Sequence, residues 1–192
     1  MENRVLTLAP RGRDAEVIAE VLGKDGRTCL GCEDMTALHA ALVCGAGTAL
    51  IAEEALAGND VSPLFEWLDR QPTWSDFPFI LLATKRTDRR PQHALELLER
   101  LGNVVVLERP LNAETLRRAA ASALRARLRQ YEARRHLAER IEAQERLHLA
   151  LAAGRLGSWE LDVDTGVLRT TEALRKIFGH DGPALEYARI LE

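Results

Sequence analysis

Few side chains in this 192-residue sequence have a type and spacing suited to chemistry. Glu53 and Glu54 follow the apolar run Thr48 to Ala52. Adjacent carboxylates serve proton transfer, or accept a guanidinium in a charge-assisted pair. Arg109-Pro110 follows a second apolar run, Val104 to Leu107. An arginine there stays charged and can grip a carboxylate or phosphate through two parallel hydrogen bonds. Cys29 and Cys32 bracket Leu30-Gly31 at the spacing of a redox or zinc pair. No second such pair exists, the nearest histidine is His39, and Cys44 makes the total odd, so strand-end thiols are the expectation. A small enzyme built on the Glu53/Glu54 loop lacks support, because no glycine-rich phosphate loop and no nucleophile–base pair accompany it. No metal site and no cofactor are expected.

Composition narrows the field further. Hydrophobic content of 46% and charged content of 29% belong to a soluble globular chain. A net charge of -3 argues against bulk attraction to nucleic acid or to an anionic membrane. No apolar run approaches the roughly 18 residues of a membrane span. The N-terminus has no secretory pattern, which makes the cytoplasm the expected location.

The elements that must carry Glu53, Glu54 and Arg109 follow from periodicity. Short apolar runs at Val5–Ala9, Arg27–Gly31, Thr48–Ala52, Phe79–Ala83 and Val104–Leu107 read as strands. The segments between them read as helices. One is capped by Asp14 with Val17, Ile18, Val21 and Leu22 on one face; one opens at Asp34; one spans Asp60–Asp69; one spans Gln92–Leu101. A basic loop is expected between Thr84 and Pro91. Alternating strands and helices imply right-handed βαβ units, a parallel sheet and a flavodoxin-like (βα)5 doubly wound α/β fold. In such folds the site lies at the carboxyl ends of the strands, here Ala9-Pro10, Glu53-Glu54, Ala83-Thr84 and Arg109-Pro110.

With that order and spacing, residues 4–125 resemble a receiver domain of two-component signalling, and Arg109-Pro110 resembles the family's Lys-Pro after the fifth strand, a bond usually cis. The resemblance implies two acidic residues after the first strand for Mg²⁺, an acceptor Asp after the third, a hydroxyl after the fourth and a Lys after the fifth. Here those positions hold Ala9 and Pro10, then Glu53 (Glu54 if the register is off by one), then Ala83 or Thr84, then Arg109. Neither Ala9 nor Pro10 offers a carboxylate to a hard cation. The pattern implies a pseudo-receiver with a degenerate phosphoacceptor site, in which Glu53 pairs with Arg109. The alternative is a phosphoacceptor response regulator with an atypical site.

From Asn112 to Ala153 there is neither Gly nor Pro, and Ala, Leu, Arg, Glu and Gln dominate. Asn112 is the expected cap of a helix about 60 Å long. Leu116, Ala119, Ala120 and Ala123 should pack on the sheet as the fifth helix. Beyond them, Leu124, Leu128 and Tyr131, then Leu137, Ile141, Gln144, His148 and Leu151, fall at 4-3 spacing in two registers. That pattern predicts a parallel coiled-coil homodimer with a phase shift between the seams. His136 resembles the helical histidine of histidine kinases only in being on a helix, since Arg135-His136-Leu137-Ala138-Glu139 lacks the rest of that box. It reads as a solvated or seam-edge residue.

The tail changes character. Gly154 and Gly157 break the helix, and Trp159, Leu161 and Val163 alternate with acids as one strand face. Asp164-Thr165-Gly166 is a hairpin turn, Val167–Thr170 the returning strand, and Thr171 the cap of a helix to Phe178 that Gly179-His180-Asp181 ends. Ala152-Ala153-Gly154-Arg155-Leu156-Gly157-Ser158-Trp159-Glu160-Leu161-Asp162, with Thr165-Gly166 and Ile177-Phe178-Gly179, resembles the opening of a PAS domain. The family continues with further strands, so a truncated, partial α+β PAS segment is expected. The expected organisation is a receiver-like domain over 1–123, a fifth helix and coiled-coil linker over 112–153, and a PAS start over 154–192. This order resembles the input end of a PAS-containing sensor histidine kinase, with PAS and kinase domains as partners in cis.

Overall fold

A computed structural model of the chain describes residues 3–57, 59–84, 91–154 and 156–179, with the backbone of 185–186. Gly58, Arg155, the basic loop expected at 85–90 and the helix end at His180-Asp181 lie outside the described residues. The chain forms two compact units, 1–134 and 135–192.

In the first unit, β1 (Val5–Leu8), α1 (Asp14–Gly23), β2 (Cys29–Gly31), α2 (Met35–Val43), β3 (Thr48–Ala52), the single turn α3 (Glu53–Leu56), α4 (Ser62–Asp69), β4 (Phe79–Ala83), α5 (Gln92–Leu101), β5 (Val104–Glu108) and α6 (Ala113–Ala153) follow in order. The strands pair in parallel in the order β2-β1-β3-β4-β5. Every residue of β1, β3 and β4 is buried, as expected for strands covered on both faces. Side chains alternate between two cores. Leu6, Leu8, Ala49, Ile51, Phe79 and Leu81 face α2, α4 and α5. Val5, Leu50, Ile80 and Leu82 face α1 and α6, meeting Ile18, Leu22, Leu116 and Ala120.

The caps divide into two kinds. Asp34 accepts from the Ala37 N–H at 2.7 Å, and Asn112 from those of Glu114 and Thr115 at 2.8 and 3.2 Å, so each caps the start of its helix as the sequence predicts. Asp14 does not cap α1. It is the first helical residue, Arg13 precedes it without a side-chain cap, and its carboxylate is turned elsewhere. The turn α3 is absent from the sequence reading, being too short to show a period.

The second unit holds the rest of α6, then β6 (Trp159–Leu161), β7 (Val167–Thr170), α7 (Glu172–Ile177) and β8 (Leu185–Glu186), with antiparallel order β6-β7-β8. Asp162 Oδ1 accepts from Asp164 and Thr165 N–H groups, and Gly166 adopts a φ of 70° to close the hairpin. The expected strand face is shorter than the alternation suggested. β6 stops at Leu161, and Val163 lies in the turn, 84% exposed. Thr171 has the extended backbone of a cap, but its hydroxyl is spent on Ser158, accepting from its N–H and donating to its carbonyl. Gly157 passes against α7 so closely that a Cβ there would lie 2.3 Å from the Leu174 Cα.

Candidate functional site

The crevice at the carboxyl ends of β1 and β3 lies where the strand order reverses. Arg109 enters it from the end of β5. Its backbone N–H continues the ladder to the Ala83 carbonyl at 2.9 Å, and the Arg109–Pro110 bond is cis. The side chain reaches across β4 to the end of β3. Nη1 and Nη2 donate to Glu54 Oε2 and Oε1 at 3.0 and 2.9 Å, a two-pronged pair. Nη2 also lies 2.6 Å from Asp14 Oδ2.

The glutamate that meets Arg109 is therefore Glu54, not Glu53. Strand alternation ends at Ala52, and α3 rotates the two carboxylates by about 100° rather than 180°. Glu53 instead accepts from the Thr84 N–H, at 3.4 Å. Asp14 joins as a second carboxylate because α1 starts one residue before a cap would, bringing its first turn over the crevice.

The electrostatics follow from this packing. Burial favours the neutral form of Glu54. The Arg109 hydrogen bonds, a backbone N–H and the charges of Arg109 and Arg11 outweigh burial and hold the carboxyl below its ordinary range. The hydrogen bonds to Glu54 push Arg109 up, against burial and with help from Asp14. Arg109 Nε is buried without an acceptor.

The remaining positions offer little to a phosphoryl group. Ala9 and Ala83 are buried, and Pro10 and Thr84 are exposed. A cavity of about 190 Å³ opens beside the pair, walled by Glu53, Glu54, Thr84, His93, Leu81 and Leu97. His93 stands at the start of α5, a location the sequence marked only by the preceding Pro91. The donor set does not fit Mg²⁺. Ala9 and Pro10 carry no oxygen side chain, Glu54 and Asp14 are engaged with Arg109, and among the described residues no three metal-type donors cluster. Burial pushes the Cys29 and Cys32 thiols up, away from the reactive thiolate a redox pair requires.

The expected seam divides. Leu124 packs on the second core of the first unit, and the Tyr131 ring lies tilted against Trp74 with centroids 5.3 Å apart, so both are used within the chain. Leu128, Leu137 and Ile141 are 52, 57 and 46% exposed, and Leu151 is half-buried. Sequence reasoning missed Arg127, one helical position from the seam and 95% buried by virtue of its 5% exposure.

No protein-family model matches the sequence, and no curated protein matches it. Solved structures do. NtrX from Brucella abortus is similar at 18% identity and TM-score 0.54 over 69% of this chain, which spans only 28% of that one. The receiver domain of a LuxO repressor protein from Vibrio parahaemolyticus is similar at 15% identity and TM-score 0.53, over 69% of this chain and 98% of its own. A fusion carrying the trimeric coiled coil of yeast Spc42 is similar at 20% identity and TM-score 0.52, over 80% of this chain and 96% of its own. The likeness is one of fold: the first unit has the five-stranded parallel architecture of response-regulator receiver domains.

Proposed function

We propose that the chain is a non-catalytic regulatory and dimerisation module of a two-component sensor kinase. A pseudo-receiver unit is joined through α6, acting as a parallel coiled coil, to a PAS-like segment. The observation that carries this reading is the closed ion cluster of Arg109 with Glu54 and Asp14. A receiver needs that cation for an incoming phosphoryl group, and here the chain's own carboxylates already occupy it. Transfer also requires charge neutralisation that Ala9 and Pro10 do not supply. The exposed Leu128, Leu137 and Ile141, and the likeness to a fusion that carries a trimeric coiled coil, support association through α6.

Incubation with acetyl phosphate and Mg²⁺ tests the central claim. The expected intact mass is unchanged. A stoichiometric gain of one phosphate would overturn the reading. One observation favours the second reading, an atypical phosphoacceptor regulator: Asp14 supplies a carboxylate near the position that Ala9 and Pro10 leave without one. Its commitment to Arg109 weighs against that role.

A further inference from the structure

Where α6 meets the loop before β4, two arginines cluster with aromatic rings and, among the described residues, pair with no carboxylate. Arg127 of α6 is 5% exposed. Its Nη1 donates to Ser75 Oγ and Gln130 Oε1 at 2.7 and 2.8 Å, and its Nη2 to Tyr131 Oη at 3.0 Å. All three acceptors are neutral. Arg127 Nε is buried with no acceptor at all. The Arg127 guanidinium carbon lies 4.6, 5.3 and 5.4 Å from the ring centres of Tyr131, Phe77 and Trp74. Two turns on, the Arg134 guanidinium sits 4.7 Å from the Trp74 ring centre. Neither arginine pairs with a carboxylate among the described residues.

Burying a cation without a counter-ion is costly, and aromatic faces and neutral acceptors offset only part of that cost. Next to this charge lies an open cavity of about 250 Å³, walled by Leu42, Trp67, Trp74, Phe77, Arg127 and Arg134. An apolar wall beside two cations calls for a ligand with an apolar body and an anionic end. A hydrated inorganic anion would leave the rings without a partner, and a neutral aromatic would leave the charge unanswered.

We propose that this cavity binds a small aromatic carboxylate. The ring lies against Leu42, Trp67 and Phe77, and the carboxylate answers the charge of Arg127 and the exposed Arg134. The site is independent of the reading of the Arg109 cluster.

Of three tryptophans, only Trp159 lies outside the cavity wall, so a Trp159→Phe full chain reports on Trp67 and Trp74. Benzoate is titrated against this protein, with benzyl alcohol and inorganic phosphate at matched ionic strength, and the heat of binding is measured in parallel. Benzoate should give a saturable emission change with a dissociation constant near about 1 mM or below, about −4 kcal/mol. Benzyl alcohol and phosphate should bind at least about tenfold more weakly, and Arg134→Gln should weaken benzoate about fivefold or more. Arg134 is exposed, so that variant keeps the fold, which the emission and the unfolding midpoint verify. No saturation by about 20 mM benzoate, an equal response to phosphate, or an Arg134→Gln protein with unchanged affinity would each overturn the proposal.

Discussion

Glu54 faces Arg109 because the backbone turns helical one residue after β3, so the second carboxylate rather than the first swings toward β5. Glu54→Gln keeps the shape but removes one anion from a pair only about one-fifth exposed. It should lower the stability of the first unit by about 1.5–3 kcal/mol. Urea unfolding followed by Trp67 and Trp74 emission in a Trp159→Phe background measures this. The pH dependence has a definite sign. The Glu54 carboxyl is held below its ordinary range, so the stability it contributes is complete above about pH 4.3 and is lost as pH falls through the lower folded value. In Glu54→Gln that part of the acid limb disappears. A carboxylate–arginine pair across the ends of β3 and β5 was legible in the sequence, because residue type and strand spacing suffice to name it. Which glutamate, and the second carboxylate from Asp14, were not. Both depend on where a helix starts, and boundary placement to within one residue is beyond periodicity.

Between elements, α6 serves two masters. Its first turns bury Leu116, Ala120 and Ala123 against the sheet, and Arg127, Gln130 and Tyr131 then grip the loop before β4. The 4-3 spacing of Leu124, Leu128 and Tyr131 resembled one seam, yet only Leu128 stays exposed, because intramolecular rings compete for the other two. The seam of the proposed dimer would therefore rest on Leu128, Leu137 and Ile141. In the proposed dimer, Ile141→Glu should raise the dissociation constant about tenfold or more. Light scattering across tens of micromolar measures the change, and a wild-type monomer throughout would refute the dimer. A different element contact governs the second unit. Gly157→Ala drives a methyl group into the backbone of α7 at Leu174, where no rotamer change relieves it. Loss of about 1–3 kcal/mol is expected, seen in the full chain as faster amide exchange across β6 and β7. The end of α6 at Ala153, just before Gly154, was legible, but the need for glycine at 157 was not, because it comes from a packed neighbour on α7.

Across the whole molecule, the sheet was the most legible part, since fully covered parallel strands read as near-continuous apolar runs and the connections are short. The cation–aromatic cluster was invisible for the converse reason: Arg127, Gln130 and Tyr131 on α6 meet Trp74 and Ser75 from a loop some fifty residues away, and the pattern of α6 alone put Tyr131 in a coiled-coil seam. If the first unit lacks phosphotransfer, the association state of the full chain should be the same with and without acetyl phosphate and Mg²⁺, and a shift in mass distribution by sedimentation would count against it. The Arg109 cluster has one more consequence. An acyl phosphate hydrolyses, so a domain that uses one carries a timer. Glu54 and Asp14 are covalent parts of the polypeptide, and no phosphatase or water molecule can remove them. On the pseudo-receiver reading proposed above, any clock in the signal would reside elsewhere, in ligand exchange or in synthesis and degradation of the protein itself.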